Sequence, residues 1–166
     1  MFGLAARGGV PRQHAARIRF SALALRPGGS GVQTYARELM RALAPLLPDA
    51  ELSALVQRDA AAELPATVRA ITRPVASGAK RALFAMAPVR GADVVHSLDV
   101  DLPIASRALL VATVHDMSVF DAPWAYGRVR GIGERQLLRT SLRRADVVLA
   151  VSEFTAERVH ALLGLD

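Results

Sequence analysis

The chain has 166 residues, 52% of them apolar and 22% charged, the balance of one folded domain with its own core rather than of a disordered segment. It contains no cysteine, so disulfides and thiolate metal sites are excluded and a cytoplasmic setting is expected. The formal charge of +6 is carried almost entirely by scattered arginines with few aromatics between them, the pattern of a solvated basic surface; nucleic acid is not expected as a partner.

Residues 1–16, with Gly3, Gly8, Gly9 and Pro11 among Arg7 and Arg12, read as a flexible extension. They lack the continuous apolar stretch of a signal peptide, and no apolar run in the chain approaches the ~18 residues that span a bilayer. Ile18–Leu25 is apolar with short interruptions and predicts a buried strand. The turn cluster Arg26-Pro27-Gly28-Gly29-Ser30-Gly31 follows. Val32, Tyr35, Ala36, Leu39, Met40, Leu43 and Leu46 then form one stripe at helical spacing, with Pro45 and Pro48 as the stop.

Leu52–Gln57 predicts a second strand and Thr67–Thr72 a weaker third, while 78–88 reads as a short helical or irregular link. Asp93–His96 is a short strand running into the acidic loop Ser97–Asp101. Ala108–His115 is a near-continuously apolar strand, and 117–127 is loop-like. A helix fits 128–145, with Leu137, Leu138, Ser141, Leu142 and Ala145 on one face. Val147–Val151 is the last strand. Ser152 can cap a helix over 153–163 that Gly164 ends. Strands that alternate with helices and are apolar on both faces predict an α/β fold, a parallel sheet with helices on both faces. Ligands of such sheets bind beyond the carboxyl ends of the strands, which selects the loops 26–31, 96–103, 115–124 and 152–154.

Gly29, Ser30 and Gly31 stand between a strand and a helix, where glycine lets a ligand approach the backbone and the helix start offers unpaired N–H groups to an anion; a tight turn without a ligand explains them too. A dinucleotide fingerprint fits poorly, because Thr34 occupies the third glycine position and no acidic residue clearly ends the second strand. His115, at a strand's carboxyl end, can bond a sugar hydroxyl or a phosphate oxygen. Asp116 can orient that ring, accept a hydroxyl or cap the next turn. His96, Asp99 and Asp101 can bind a polar acceptor, form a solvated acidic loop or, less in keeping with known spacings, hold a metal. Glu153 suits the first turn of a helix whether or not it meets a ligand. Arg128, Arg130, Arg135, Arg139, Arg143 and Arg144 make one helix basic, either as a solvated face or as a peripheral contact with the inner face of a membrane.

Four segments in order resemble the amino-terminal domain of family-4 glycosyltransferases: Leu25–Leu39, Ala92–Ser97, Thr113–Met117 and Arg143–Thr155. The resemblance spans roughly residues 17–166. It implies a Rossmann-like half of a two-domain GT-B enzyme that transfers sugar from a nucleotide-diphosphate sugar with retention, without a cofactor and usually without a metal. It places Gly29, Ser30 and Gly31 by the donor phosphate and His115, the catalytic candidate, by the donor sugar. The loops 96–103 and 117–126 become acceptor candidates, and His96, Asp99, Asp116, Trp124 and Glu153 are the candidates for binding acceptor or sugar. The sequence ends at Gly164-Leu165-Asp166, about where an interdomain linker is expected. Activity is therefore expected to need a carboxyl-terminal half from a separate chain. The exposed cleft face offers that half, or a second copy of this chain, a place to dock. A non-catalytic module that binds a partner or a sugar, derived from a truncated enzyme, is the alternative.

Overall fold

The computed structural model describes residues 15–29 and 31–165. The predicted extension over 1–16 therefore lies almost wholly outside the described residues, and Ser30 lies outside them as well. Six strands, β1 (Arg17–Ser21), β2 (Glu51–Gln57), β3 (Arg69–Arg73), β4 (Val94–Ser97), β5 (Leu109–Val114) and β6 (Val147–Ala150), form one sheet in the order β3-β2-β1-β4-β5-β6. Every pairing is parallel. The helices are α1 (Gly31–Leu46), α2 (Gly78–Met86), α3 (Ser118–Asp121), α4 (Arg128–Leu142) and α5 (Glu153–Leu163).

The two-residue period of the strands sorts the helices by face. Phe20, Leu52, Ala54 and Val56 point toward Ala36 and Met40 of α1, as the helical stripe predicts. Ala112 and Val114 point the other way and pack on Leu138 and Leu142 of α4 and Val159 and Leu163 of α5. Leu55 and Ile71 share that second face with Ala85 of α2. Both faces of the sheet are thus apolar, so alternation is absent from the sequence while burial is not.

The structure shortens the first predicted strand. Ala22, Leu23 and Leu25 are buried as the apolar run suggests, but the strand stops at Ser21 and the chain turns, with Leu25 N bonded to Ala22 O. Burial of a turn gives the same hydrophobic signal as burial of a strand. Pro45 lies inside α1, one residue from its end, and Pro48 falls beyond the helix. The 117–127 loop contains α3 and a 3-10 turn over Pro123–Ala125, and the 78–88 link is helical over α2. α4 ends at Leu142, three residues before the predicted stop.

Ser152 caps α5 as predicted, its hydroxyl accepting from Thr155 N at 3.1 Å, and Gly164 ends the helix with φ 64°. Ser152→Ala is expected to lower the unfolding free energy by about 1 kcal/mol in denaturant titration, because one amide of the first turn loses its acceptor. A change under about 0.3 kcal/mol would show that water replaces the cap.

Candidate functional site

Strand order reverses between β1 and β4, so the loops leaving these two strands diverge and open a crevice at the carboxyl rim. The first loop is shaped locally. Pro27 and Gly28 occupy the central positions of a turn closed by Gly29 N and Arg26 O at 3.4 Å, and Gly28 takes φ 64°, the value that a type II turn asks of glycine. Gly29 is fixed by packing. A Cβ there would meet Gln33 Cγ at 2.5 Å, and the Gly29 carbonyl accepts from Arg37 Nη2. Gly31, by contrast, opens α1 with nothing within 4 Å of its missing Cβ.

His115 follows β5 at the same rim. Its Nε2 donates to the carbonyl of Leu98 at 2.9 Å, which leaves Nδ1 as the acceptor of the neutral ring. Tyr35, from the second turn of α1, packs at right angles to the imidazole with ring centroids 5.1 Å apart. Val32 of α1 and His115 line one crevice of about 270 Å³ together with Asp99, Asp101, Asp116, Tyr126 and Arg130. Val32, which follows the glycine turn, and His115 thus line one crevice at this end of the sheet, whereas Gly29 and Gly31 are not among its lining residues. A separate cavity of about 690 Å³, bounded by Pro88–Ala92 and Ala105–Arg107, lies near the opposite ends of β4 and β5 and holds none of the predicted residues.

The other predicted residues divide. Asp99 and Asp116 reach the crevice. Asp99 accepts from Val100 N, and Asp116 accepts from both the amide and the hydroxyl of Ser118, whose oxygen also meets Tyr126 OH. His96 does not reach the crevice. It is 7% exposed, tilts against Phe20, and its Nε2 is hydrogen-bonded to Thr113 Oγ1 at 2.9 Å. Burial lowers its pKa to about 4, so the ring is neutral at physiological pH and serves the core. Trp124 is 81% exposed on the 3-10 turn and Glu153 is exposed in the first turn of α5; neither lines the crevice. Among the described residues no three His, Asp or Glu side chains are grouped to hold a metal ion, so His96, Asp99 and Asp101 do not form such a set.

Arg81 is the residue that the sequence pattern did not bring forward. It extends from α2 to Asp101 Oδ2 at 3.3 Å and Asp99 Oδ2 at 3.6 Å. Asp101 is only 3% exposed, and neither its Oδ2 nor Arg81 Nη1 makes a hydrogen bond. Burial raises the Asp101 pKa to about 6 against the pull of Arg81, while Asp99 and Glu134 add to the rise. Two buried polar atoms that border a crevice without a hydrogen bond are groups that a hydroxylated ligand can satisfy. Nothing in nine residues of α2 marked Arg81 beforehand; the Arg130–Glu134 pair at 2.7 Å, with i, i+4 spacing, was readable.

Three arginines of α4 and the turn after it make contacts within the protein. Arg135 donates to Gly131 O, Arg139 lies over the Phe120 ring at 5.1 Å, and Arg144 donates to Leu102 O. No helix among the described residues is long and apolar enough to cross a membrane. A family model described as Glycosyltransferase Family 4 matches residues 29–166, most of the chain, beginning at Gly29 of the first rim loop. No curated protein matches the chain.

Proposed function

Because the chain belongs to glycosyltransferase family 4, we propose that it supplies the acceptor site and part of the donor-phosphate site for sugar transfer from a nucleotide-diphosphate sugar. One observation carries this reading: the start of α1, His115, and the Arg81–Asp101 pair border a single crevice at the point where strand order reverses. The start of a sixteen-residue helix favours the negative diphosphate, and Gly31 leaves room for it. Nδ1 of His115 can accept from a donor-sugar hydroxyl. Asp101, Asp99 and Arg81 offer acceptors and donors to the hydroxyls of the acceptor. In the transfer itself, the bond from the anomeric carbon to the diphosphate oxygen breaks. The acceptor oxygen bonds to the same face of that carbon, and its proton passes to the departing diphosphate.

Positioning and electrostatic preorganisation need a cleft closed to water. A nucleotide-binding unit is therefore the partner this reading requires, with peripheral attachment to a membrane an additional expectation from the basic α4. The test is to mix the chain with a nucleotide-binding half and radiolabelled nucleotide sugar. His115→Ala is expected to lower turnover more than tenfold, about 1.4 kcal/mol or more of transition-state stabilisation. Unchanged kinetics would remove His115 from the site, and absence of transfer with every candidate half would sink the split-enzyme reading.

A second reading, a non-catalytic partner-binding module, draws on the exposed strip Leu109, Val147, Leu149 and Val151, on the sheet face that α1 covers elsewhere. Light scattering after size exclusion distinguishes it: a monomer that captures no partner counts against it.

A further inference from the structure

α4 contains two glycines, and only one has a packing reason. A Cβ on Gly131 would stand 3.3 Å from Tyr126 Cβ. A Cβ on Gly133 would meet nothing within 4 Å, and its φ is not in the positive range. Glycine inside an exposed helix is less stable than alanine, so Gly133 breaks the local preference with no gain inside the protein. Departures of that kind concentrate where a ligand binds.

Gly133 lies on a cavity of about 850 Å³ between α2 and α4. Ala79, Ala82, Leu83 and Met86 of α2 and Leu137 of α4 form its apolar lining. The small residues Ala79, Ala82 and Gly133 leave the groove open where longer side chains would fill it. Arg81, Arg130, Glu134 and Leu137 border both this groove and the crevice that holds His115 and Asp101, so the two spaces adjoin. One space is rich in hydrogen-bonding groups and the other is mainly apolar, with Arg26 and Ser77 also on its border and Leu83 two-thirds exposed at its edge. The charges at their junction come as opposed pairs, Arg130 with Glu134 and Arg81 with Asp101, which suits uncharged hydroxyls better than a single anion.

We infer that the groove at Gly133 receives the apolar part of an amphiphilic acceptor whose hydroxylated head sits beside Asp101 and His115. This rests on the acceptor-site reading above and names the class of molecule that site takes.

The test uses the full chain with two NMR reporters, the Met86 methyl group for the groove and the His115 ring proton for the crevice. Methyl, hexyl and octyl β-glucoside are titrated below their micelle concentrations. Octyl glucoside is expected to shift both signals and to bind at least tenfold more tightly than methyl glucoside, which shifts His115 alone. Gly133→Leu fills the groove on a helix that leucine favours, and is expected to bring octyl glucoside down to the methyl value while leaving the His115 response in place. Shifts at His115 with equal affinity for all three glucosides would overturn the amphiphile inference and leave the acceptor site standing. An unchanged octyl affinity in Gly133→Leu would overturn it too. A His115 signal that no probe moves would overturn the acceptor-site reading and this inference with it.

Discussion

Gln57→Leu is expected to lower the free energy of unfolding by about 3 kcal/mol, and the thermal midpoint by roughly 10 °C. Gln57 ends β2 and is fully buried. Its Nε2 donates to Leu23 O at 2.8 Å, and its Oε1 accepts from Ala76 N at 2.6 Å. Leucine matches the size but makes neither bond. Leu23 O keeps a longer bond from Arg26 Nη1 at 3.3 Å, while the buried Ala76 amide loses this acceptor. An orphaned buried amide costs about 1–3 kcal/mol, and the lost donor bond adds about 1 kcal/mol.

The effect reaches the site because Arg26, which also donates to Ala76 O at 3.2 Å, acts with Gln57 to clamp the turn after β1. That turn leads directly to Gly29. Gln136→Leu, on the exposed side of α4, is the control and should change stability by less than about 0.5 kcal/mol. Denaturant titration showing less than about 1 kcal/mol for Gln57→Leu would mean that water or a backbone shift replaces both bonds.

The second large effect is a pair of opposed pH dependences. His96 titrates near 4 in the fold and 6.5 when unfolded. As pH falls from 6.5 toward 4 the unfolded ring takes up its proton first, so stability is lost over that window. Asp101 titrates near 6 in the fold and 3.8 when unfolded. As pH rises from 3.8 toward 6 the unfolded carboxyl releases its proton first, so this group removes stability in the opposite direction. Each shift corresponds to about 3 kcal/mol. Between pH 4 and 6 the two slopes nearly cancel.

Single substitutions separate them. Relative to the unsubstituted protein, Asp101→Asn should gain about 3 kcal/mol as pH rises from 4 to 6, because the burial penalty on its charge is gone. His96→Gln should show the reverse, losing about 3 kcal/mol of relative stability as pH rises from 4 to 6.5. Denaturant titrations at four or five pH values suffice to measure both. Difference curves that stay flat for either variant would show that the group is hydrated in the fold.

The legible part of the molecule was the part set by local periodicity. Ala36, Leu39, Met40 and Leu43 of the predicted stripe placed α1 on the sheet, although Leu46 at its end is exposed; Leu138, Ser141 and Leu142 placed α4, and Ser152 with Gly164 bounded α5. That His115, Asp99 and Asp116 lie at the crevice was legible because a loop at a strand's carboxyl end is a position that chain order reveals. His96 was misread on the same rule. It stands within β4, on the face that α1 covers, and sequence spacing does not distinguish a residue one place inside a strand from one just beyond it.

By itself the sequence determined the alternation of strands and helices, the burial of both sheet faces, and the rim on which a ligand would lie. These follow from apolar spacing, turn residues and caps, all of which act between near neighbours in the chain. Only the tertiary structure decided that Arg81 meets Asp101 and that Gln57 clamps residues 23 and 76. It alone also set Gly133 facing α2 across an open groove. Those pairings join segments far apart in the chain, and they depend on strand order and helix placement, which the packing of the whole core fixes.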